Sequence, residues 1–268
     1  MSNTIERAAA AGIEGAELRF DRSGTATILS GSVTQGQGHE TVFKQIVCDM
    51  LGLVPEEVRY VWGDTDKVAF GHGTGGSRSA TLGGSAVLMA TEKVVEKARL
   101  IAAHLLEAAP EDLGFHEGVF TIAGTDREVG IKEVACAAAN PDRLPADMAP
   151  SLAASAVYPA PTMNFPNGCH VCELEIDPET GTVEILDYSV VDDVGTVMNP
   201  LLLKGQIHGG VAQGLGQALF EDIRFEPGSG QLLTGSFMDY VMPRADDMSA
   251  IEVISNPVPT ATNPLGVK

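Results

Sequence analysis

Hydrophobic and polar positions alternate along ELRFDRSGTATILSGSV (17–33) on both sides of a polar break at Arg22–Gly24. That period of two predicts a β-hairpin. The period then changes. In GHETVFKQIVCDMLG (38–52), Val42, Ile46 and Met50 recur every four residues with Val47 beside them, which predicts a helix ended by Gly52. VRYVWGD (58–64) predicts a strand, and LMATEKVVEKARLIAAHLLEAA (88–109) a long helix terminated by Pro110. GVFTIAG (118–124) predicts a short strand, and IKEVACAAAN (131–140) a helix ending at Asn140–Pro141.

Residues 141–168 hold six prolines and little periodicity, which marks a connection between two halves, 1–140 and 169–268. The second half opens on CELEIDPETGTVEILDYSVVDDVG (172–195), a hairpin turning at Asp177–Gly181. GQIHGGVAQGLGQALFED (205–222) predicts a glycine-loaded helix, FMDYVMP (237–243) and IEVIS (251–255) predict strands, and NPVPTATNPLGVK (256–268) an extended end. Strands and helices are interspersed without regular βαβ alternation. The fold class is therefore α+β, built as two sub-structures, with no internal repeat visible in the sequence.

Composition narrows the function. At 268 residues and 44% hydrophobic, the chain can bury a sizeable core. Its formal charge of −19 repels phosphate backbones and anionic membrane surfaces, so nucleic acid and membrane are set aside as partners. No apolar run approaches the length of a membrane span. MSNTIERAAAAG has no basic stretch followed by a long apolar one, so a secretory signal is not expected and the expected location is the cytoplasm.

Of four cysteines, Cys48 and Cys136 sit in helical patterns and are expected as buried thiols. Cys169 and Cys172 form a C-x-x-C, but no second pair completes a zinc site, and in a strand their spacing sends them to opposite faces. No metal ligands are assigned. His39, His72 and His208 are read as structural, and of Asp192 and Asp193 one is expected to cap a turn.

The candidate chemistry lies in the glycine-rich stretches. QGQG (35–38) opens the first helix and GTGGSRSATLGG (73–84) the second. Backbone N–H groups at a helix start, unobstructed by side chains, bind anions. Ser77, Ser79 and Thr81 add hydroxyls, and the Arg78 fork can grip two phosphate oxygens. Capping and turn formation use the same residue types, so each loop alone is equally a structural feature. Neither matches a dinucleotide fingerprint or P-loop. In GQIHGGVAQGLG (205–216), five glycines each cost about 1 kcal/mol relative to alanine in a helix, unless something packs closely there. Gln206, Gln213, Gln217 and Gln37 carry amides that both donate and accept, suiting the edge of a heterocycle.

Taken together, TQGQGHET, GTGGSRSATLGG, ELEIDPETGTVEI, DDVGTVMNP and GQIHGGVAQGLGQAL resemble the molybdenum-cofactor subunit of the molybdenum hydroxylases. These include xanthine dehydrogenase, aldehyde oxidoreductase and aerobic carbon monoxide dehydrogenase. The motifs run in family order from about Gly15 to Lys268, matching the C-terminal part of that subunit.

The resemblance implies a molybdopterin cofactor, as molybdopterin cytosine dinucleotide carrying molybdenum. Gly36, Gln37 and Gly38 would contact it, as would Gly76, Ser77, Arg78 and Ser79 at its phosphates, with Gln206 near metal and pterin. The implied partners are the rest of the molybdenum subunit, iron–sulfur and flavin subunits carrying [2Fe-2S] and FAD, a small-molecule substrate and, as a further arrangement, a second copy. The implied reaction hydroxylates an aldehyde, purine or N-heterocycle with oxygen from water. The family's general base is a glutamate in G-x-G-E, about four residues past the Gly266-Val267-Lys268 lead-in. No catalytic residue is therefore assigned within the chain, and alone it is expected not to turn over substrate. Two alternatives stand beside this: a non-catalytic assembly module with the same fold, and a nucleotide-binding enzyme of another class.

Overall fold

A computed structural model describes residues 12–145 and 148–268. The N-terminal stretch weighed as a signal lies outside the described residues. The described chain forms two compact units: residues up to Phe165 together with Thr260–Lys268, and Pro166–Pro259.

The first unit begins with β1 (Ile13–Phe20) and β2 (Ala26–Ser30), the hairpin expected from the alternation. Its turn is held by Asp21, whose Oδ1 accepts the N–H groups of Ser23 and Thr25. Helix α1 (His39–Leu51) follows, and β3 (Val58–Trp62) returns parallel to β2. Residues Ser79–Gly84 wind as a π-helix into α2 (Ser85–Leu106). Strands β4 (Leu113–His116), β5 (Val119–Ile122) and β6 (Glu128–Gly130) make a small antiparallel sheet ahead of α3 (Ile131–Ala138). Strand β7 (Ala153–Pro159) then pairs antiparallel with β1, completing a sheet of order β3-β2-β1-β7.

Helix α2 packs on β1 and β7 through Val87, Ala90, Val94, Ala98 and Ile101, all buried. The three- and four-residue spacing makes one apolar stripe, and its alanines let the helix lie close to the sheet.

The second unit holds β8 (Asn167–Ile176), β9 (Val183–Asp193), α4 (Pro200–Leu219) and β10 (Ile251–Ser255). Its sheet order is β10-β9-β8, with β8 antiparallel and β10 parallel to β9. Its core is small: Val190, Val211 and Ile251, with Tyr188, Ile207 and Leu215 packed against them. The architecture is α+β.

Several sequence expectations are corrected. Although no repeat is visible in the residues, both units share a hairpin, a crossover helix and a parallel third strand in the same sheet order. Residues 141–168, read as a connection, contain β7, because ASAVYP has strand alternation between its flanking prolines. The buried face of α1 is Phe43, Ile46, Val47 and Leu51, with Val42 and Met50 only half-buried. Helix α2 ends at Leu106, where left-handed Glu107 returns its N–H to Ala103, three residues before Pro110. Helix α4 starts five residues early, because Asn199 Oδ1 caps the Leu202 N–H (3.1 Å) and Pro200 occupies the first helical position.

FMDYVMP is a turn rather than a strand: Phe237 and Met238 are 81% and 88% exposed, and no strand pairs with them. Cys136 is exposed, its Sγ directed at the Arg22 carbonyl, whereas Cys48 is buried as expected. Cys169 and Cys172 lie on β8 opposite Val191 and Tyr188, hence on opposite faces, and both are free thiols. Among the described residues, no helix is long and apolar enough to cross a membrane.

Candidate functional site

Between β2 and α1 the chain turns through Gly36 and Gly38, at φ +103° and +85°, left-handed values that glycine adopts without strain. The Gln37 side chain folds back so that Oε1 accepts the Gln35 N–H (2.5 Å), while its amide nitrogen stays available. Gly38 is the N-cap of α1 and supplies no side-chain acceptor. The first N–H groups of α1 therefore lack the protection that Asn199 gives α4.

The second loop lies against the first. Thr74 donates its hydroxyl to the Val33 carbonyl (2.7 Å) and stands 3.2 Å from Ser79 Oγ. Gly76 and Ser77 are left-handed, at φ +58° and +50°, and exposed; Ser79 is buried at the start of the π-helix. Arg78 spends one guanidinium nitrogen on the His72 carbonyl (2.8 Å), and its Nε is buried without a partner. A π-helical turn presents backbone differently from an α-helix and recurs at functional sites. This one is packed on α1: a Cβ on Gly83 would stand 2.6 Å from Ser32 Oγ and 3.0 Å from the Phe43 ring.

The terminal turn reaches the same π-helix. Asn164 Nδ2 donates to the Val267 carbonyl (2.8 Å) and to Thr81 Oγ1 (3.3 Å), and Asn263 Nδ2 donates to the same carbonyl (2.7 Å). A Cβ on Gly84 would meet Leu265 at 2.7 Å. Sequence reasoning missed Asn164, which sits in the stretch read as a connection, and it missed Thr74 and Ser32, ordinary polar residues whose partners are remote in sequence.

Through Thr74 the first unit ties the segment that leads to Gly36, Gln37 and Gly38 to Ser79, in the loop that also carries Gly76, Ser77 and Arg78. Gln206 belongs to the second unit, exposed on α4. Around Gly205, Gly209, Gly210 and Gly214 an added Cβ would meet nothing within 4 Å, and only Gly216 is packed. His208 is half-buried, with Nε2 unpartnered. Asp193 is the turn residue of the acidic pair, its Oδ1 accepting from the N–H groups of Gly195 (2.9 Å) and Val258 (3.0 Å). Asp192 instead stands 3.4 Å from His170. Among the described residues, no cluster of three His, Cys, Asp or Glu could hold a metal ion.

These loops fit a polar, anionic ligand. Ser32 Oγ, His39 Nδ1 and Ser85 Oγ, which can donate, and Asn164 Oδ1, which only accepts and so calls for a donor on the ligand, are buried and have no hydrogen-bond partner. Such atoms are costly to leave unpaired, so a ligand that satisfies them gains what the protein alone forgoes. Burial pushes the His39 imidazole below its usual pKa, keeping it neutral and able to both donate and accept. Gly36 and Gly73 face open space, where a Cβ would meet nothing within 4 Å. A cavity of about 300 Å³ lies elsewhere, at Phe20, Arg22 and Ala135. Volume does not mark the site here; unsatisfied polarity does.

Residues 1–249 match the family model of the molybdopterin cofactor-binding domain. The chain belongs to this family. The domain is 41% identical over 253 residues to the 6-hydroxypseudooxynicotine dehydrogenase complex subunit gamma of Paenarthrobacter nicotinovorans, covering 94% of this chain and 32% of that one. It is 35% identical to the carbon monoxide dehydrogenase large chain of Hydrogenophaga pseudoflava, with coverage of 94% and 31%. Its fold matches reconstituted carbon monoxide dehydrogenase from Oligotropha carboxidovorans at TM-score 0.88 and 34% identity, over 95% of this chain and 32% of that one. The domain therefore spans about a third of the length of the relatives it matches.

Proposed function

We propose that this domain is the cofactor-holding C-terminal portion of a molybdenum hydroxylase's large subunit. The observation that carries the reading is the Thr74 clamp. It sets an uncapped helix start and a glycine-rich, arginine-bearing loop side by side, above buried polar atoms that lack partners.

In this reading Gly36 and Gly38 let the pterin approach the backbone, and the free amide nitrogen of Gln37 donates to its edge. Gly76, Ser77 and Ser79 offer N–H and hydroxyl donors to the phosphates, with the remaining Arg78 guanidinium N–H groups beside them. Gln206, exposed on α4, offers an amide that both donates and accepts, as a cofactor edge requires. A cytosine nucleotide attached to the pterin, as in bacterial members, extends the same anion-binding surface. When bound, the molybdenum cofactor supplies a two-electron acceptor. The net change is R–H + H2O → R–OH + 2 H+ + 2 e−, on an aldehyde, purine or N-heterocycle, with the electrons leaving to iron–sulfur and flavin partners. The chain's own residues hold, orient and desolvate. In this reading a general base and the substrate walls would be supplied by other parts of the large subunit.

Elemental and phosphate analysis of the large subunit containing this domain tests the proposal. About one molybdenum and one pterin per subunit is the expected result. A folded subunit, produced with molybdenum supplied, that carries neither metal nor pterin phosphate would overturn it.

A further inference from the structure

Strand β1 carries a carboxylate where an apolar residue would be expected. Glu14 is 1% exposed, and among the described residues no Lys, Arg or His lies within ion-pair distance of it. Its two oxygens are used by backbone instead: Oε1 accepts the Gly15 N–H (3.0 Å), and Oε2 accepts the His72 N–H (3.3 Å), 58 residues away. A buried polar side chain persists only when hydrogen bonds receive it.

The surroundings of Glu14 are built by two glycines. A Cβ on Gly31 would fall 2.2 Å from Gly71 Cα and 2.6 Å from Glu14 Oε1; a Cβ on Gly71 would fall 2.2 Å from Gly31 Cα and 2.8 Å from the same oxygen. Three segments thus meet at one point that the Glu14 carboxyl already fills and no further side chain can enter. One leads from Gly31 into the Gly36–Gly38 turn, and another from Gly71 into the Arg78 loop. The residue Glu14 grips is the one Arg78 grips from the other side: His72 gives its N–H to Glu14, its carbonyl to Arg78 Nη2 (2.8 Å), and sets Nδ1 3.1 Å from the Ile13 carbonyl.

We infer that Glu14 is a positioning residue for the cofactor loops, fixing through the His72 N–H the start of the loop that carries Arg78 and Ser79. It touches no ligand itself. It acts by setting how far the second loop stands from the first and where the Arg78 guanidinium is anchored. The inference rests on the cofactor-holding reading above for its consequence, but not for its geometry.

Amide hydrogen exchange on the wild-type chain is the first measurement. The His72 amide, on an exposed residue, should exchange at least about 100-fold more slowly than that of Gly75 in the same loop. Equal rates overturn the inference, and this outcome needs no variant to fold. The second measurement compares the large subunit with its Glu14→Gln counterpart, which keeps the volume but replaces one acceptor oxygen by a donor. A modestly lowered melting midpoint, faster exchange across 71–79 and, at a temperature where the variant is still fully folded, about 10-fold less molybdenum retained after dialysis are expected. Wild-type loop protection together with wild-type retention in Glu14→Gln would overturn it. A wild-type subunit without molybdenum would instead count against the cofactor reading, while the exchange data still decide the role of Glu14.

Discussion

Thr74 reaches across 41 residues of sequence to donate its hydroxyl to the Val33 carbonyl at 2.7 Å, with Ser79 Oγ 3.2 Å away on its other side. One small side chain therefore couples the segment after β2 that leads to Gly36 with the π-helix that begins at Ser79. Thr74→Val keeps the shape and removes both interactions. The loss in stability should be about 1 kcal/mol, read by urea unfolding, because the Val33 carbonyl is left without this donor. Molybdenum retained by the subunit should fall more steeply than stability, since loop separation changes.

Glycines in these loops divide into three kinds, and alanine substitution should separate them. Gly31→Ala or Gly71→Ala places a methyl 2.2 Å from backbone and should cost about 3 kcal/mol or prevent folding. Gly36→Ala meets nothing within 4 Å but must hold φ +103°, so its cost should stay near 1–2 kcal/mol. Gly75→Ala meets nothing and is not left-handed, and should leave the melting midpoint unchanged. Thermal melts of the four variants rank them directly.

His39 should make the first unit acid-sensitive. Its imidazole stacks on Phe43 with ring centroids 5.4 Å apart, and burial lowers its folded pKa below the usual 6.5. The unfolded chain then binds more protons than the folded one between the lowered value and 6.5. Stability conferred by the neutral ring is complete above pH 6.5, declines as pH falls through that window, and levels off below the folded pKa. Urea midpoints at pH 7.5 and pH 5 should differ more in the wild type than in His39→Gln. An equal difference in both would refute the assignment.

The elements that were legible in the sequence are those whose periodicity carries its own partner information. The helices α1 and α2, though not the buried face of α1, and the turn-marked hairpins need only local pattern to be recognised. FMDYVMP had the right residues for a strand but no neighbour to pair with, and pairing is what makes a strand. β7 was hidden for the opposite reason: prolines at its ends masked alternation that β1 completes. At the site, the glycine loops were visible because glycine and serine at a helix start have a local meaning. The Thr74–Val33, Glu14–His72 and Asn164–Val267 relationships were not, because each joins residues 41, 58 and 103 positions apart.

Asn164 gives that distance an energetic consequence. Its Nδ2 serves both Thr81 and Val267, and the residue is 4% exposed. Asn164→Ala should loosen the terminal turn from the π-helix and cost about 1–2 kcal/mol, because Thr81 Oγ1 loses its donor and the Val267 carbonyl keeps only Asn263 Nδ2. Proteolysis near Thr260–Lys268 should accelerate ahead of cleavage elsewhere. If the whole unit instead opened together, the turn would be part of the core rather than docked on it.

The glycines of α4 offer a test in which stability and function move in opposite directions. Gly209 and Gly210 lie in a helix, with open space where a Cβ would be, so nothing within the second unit requires them. Alanine at either position should stabilise the isolated chain by roughly 0.5–1 kcal/mol through helix propensity alone. If the bare face of α4 exists so that cofactor or the rest of the subunit can approach the backbone beside Gln206, the same substitutions should lower molybdenum loading of the full subunit. A variant that is both more stable and fully loaded would show that the glycines serve neither, whereas a more stable chain with an emptier subunit is the expected result.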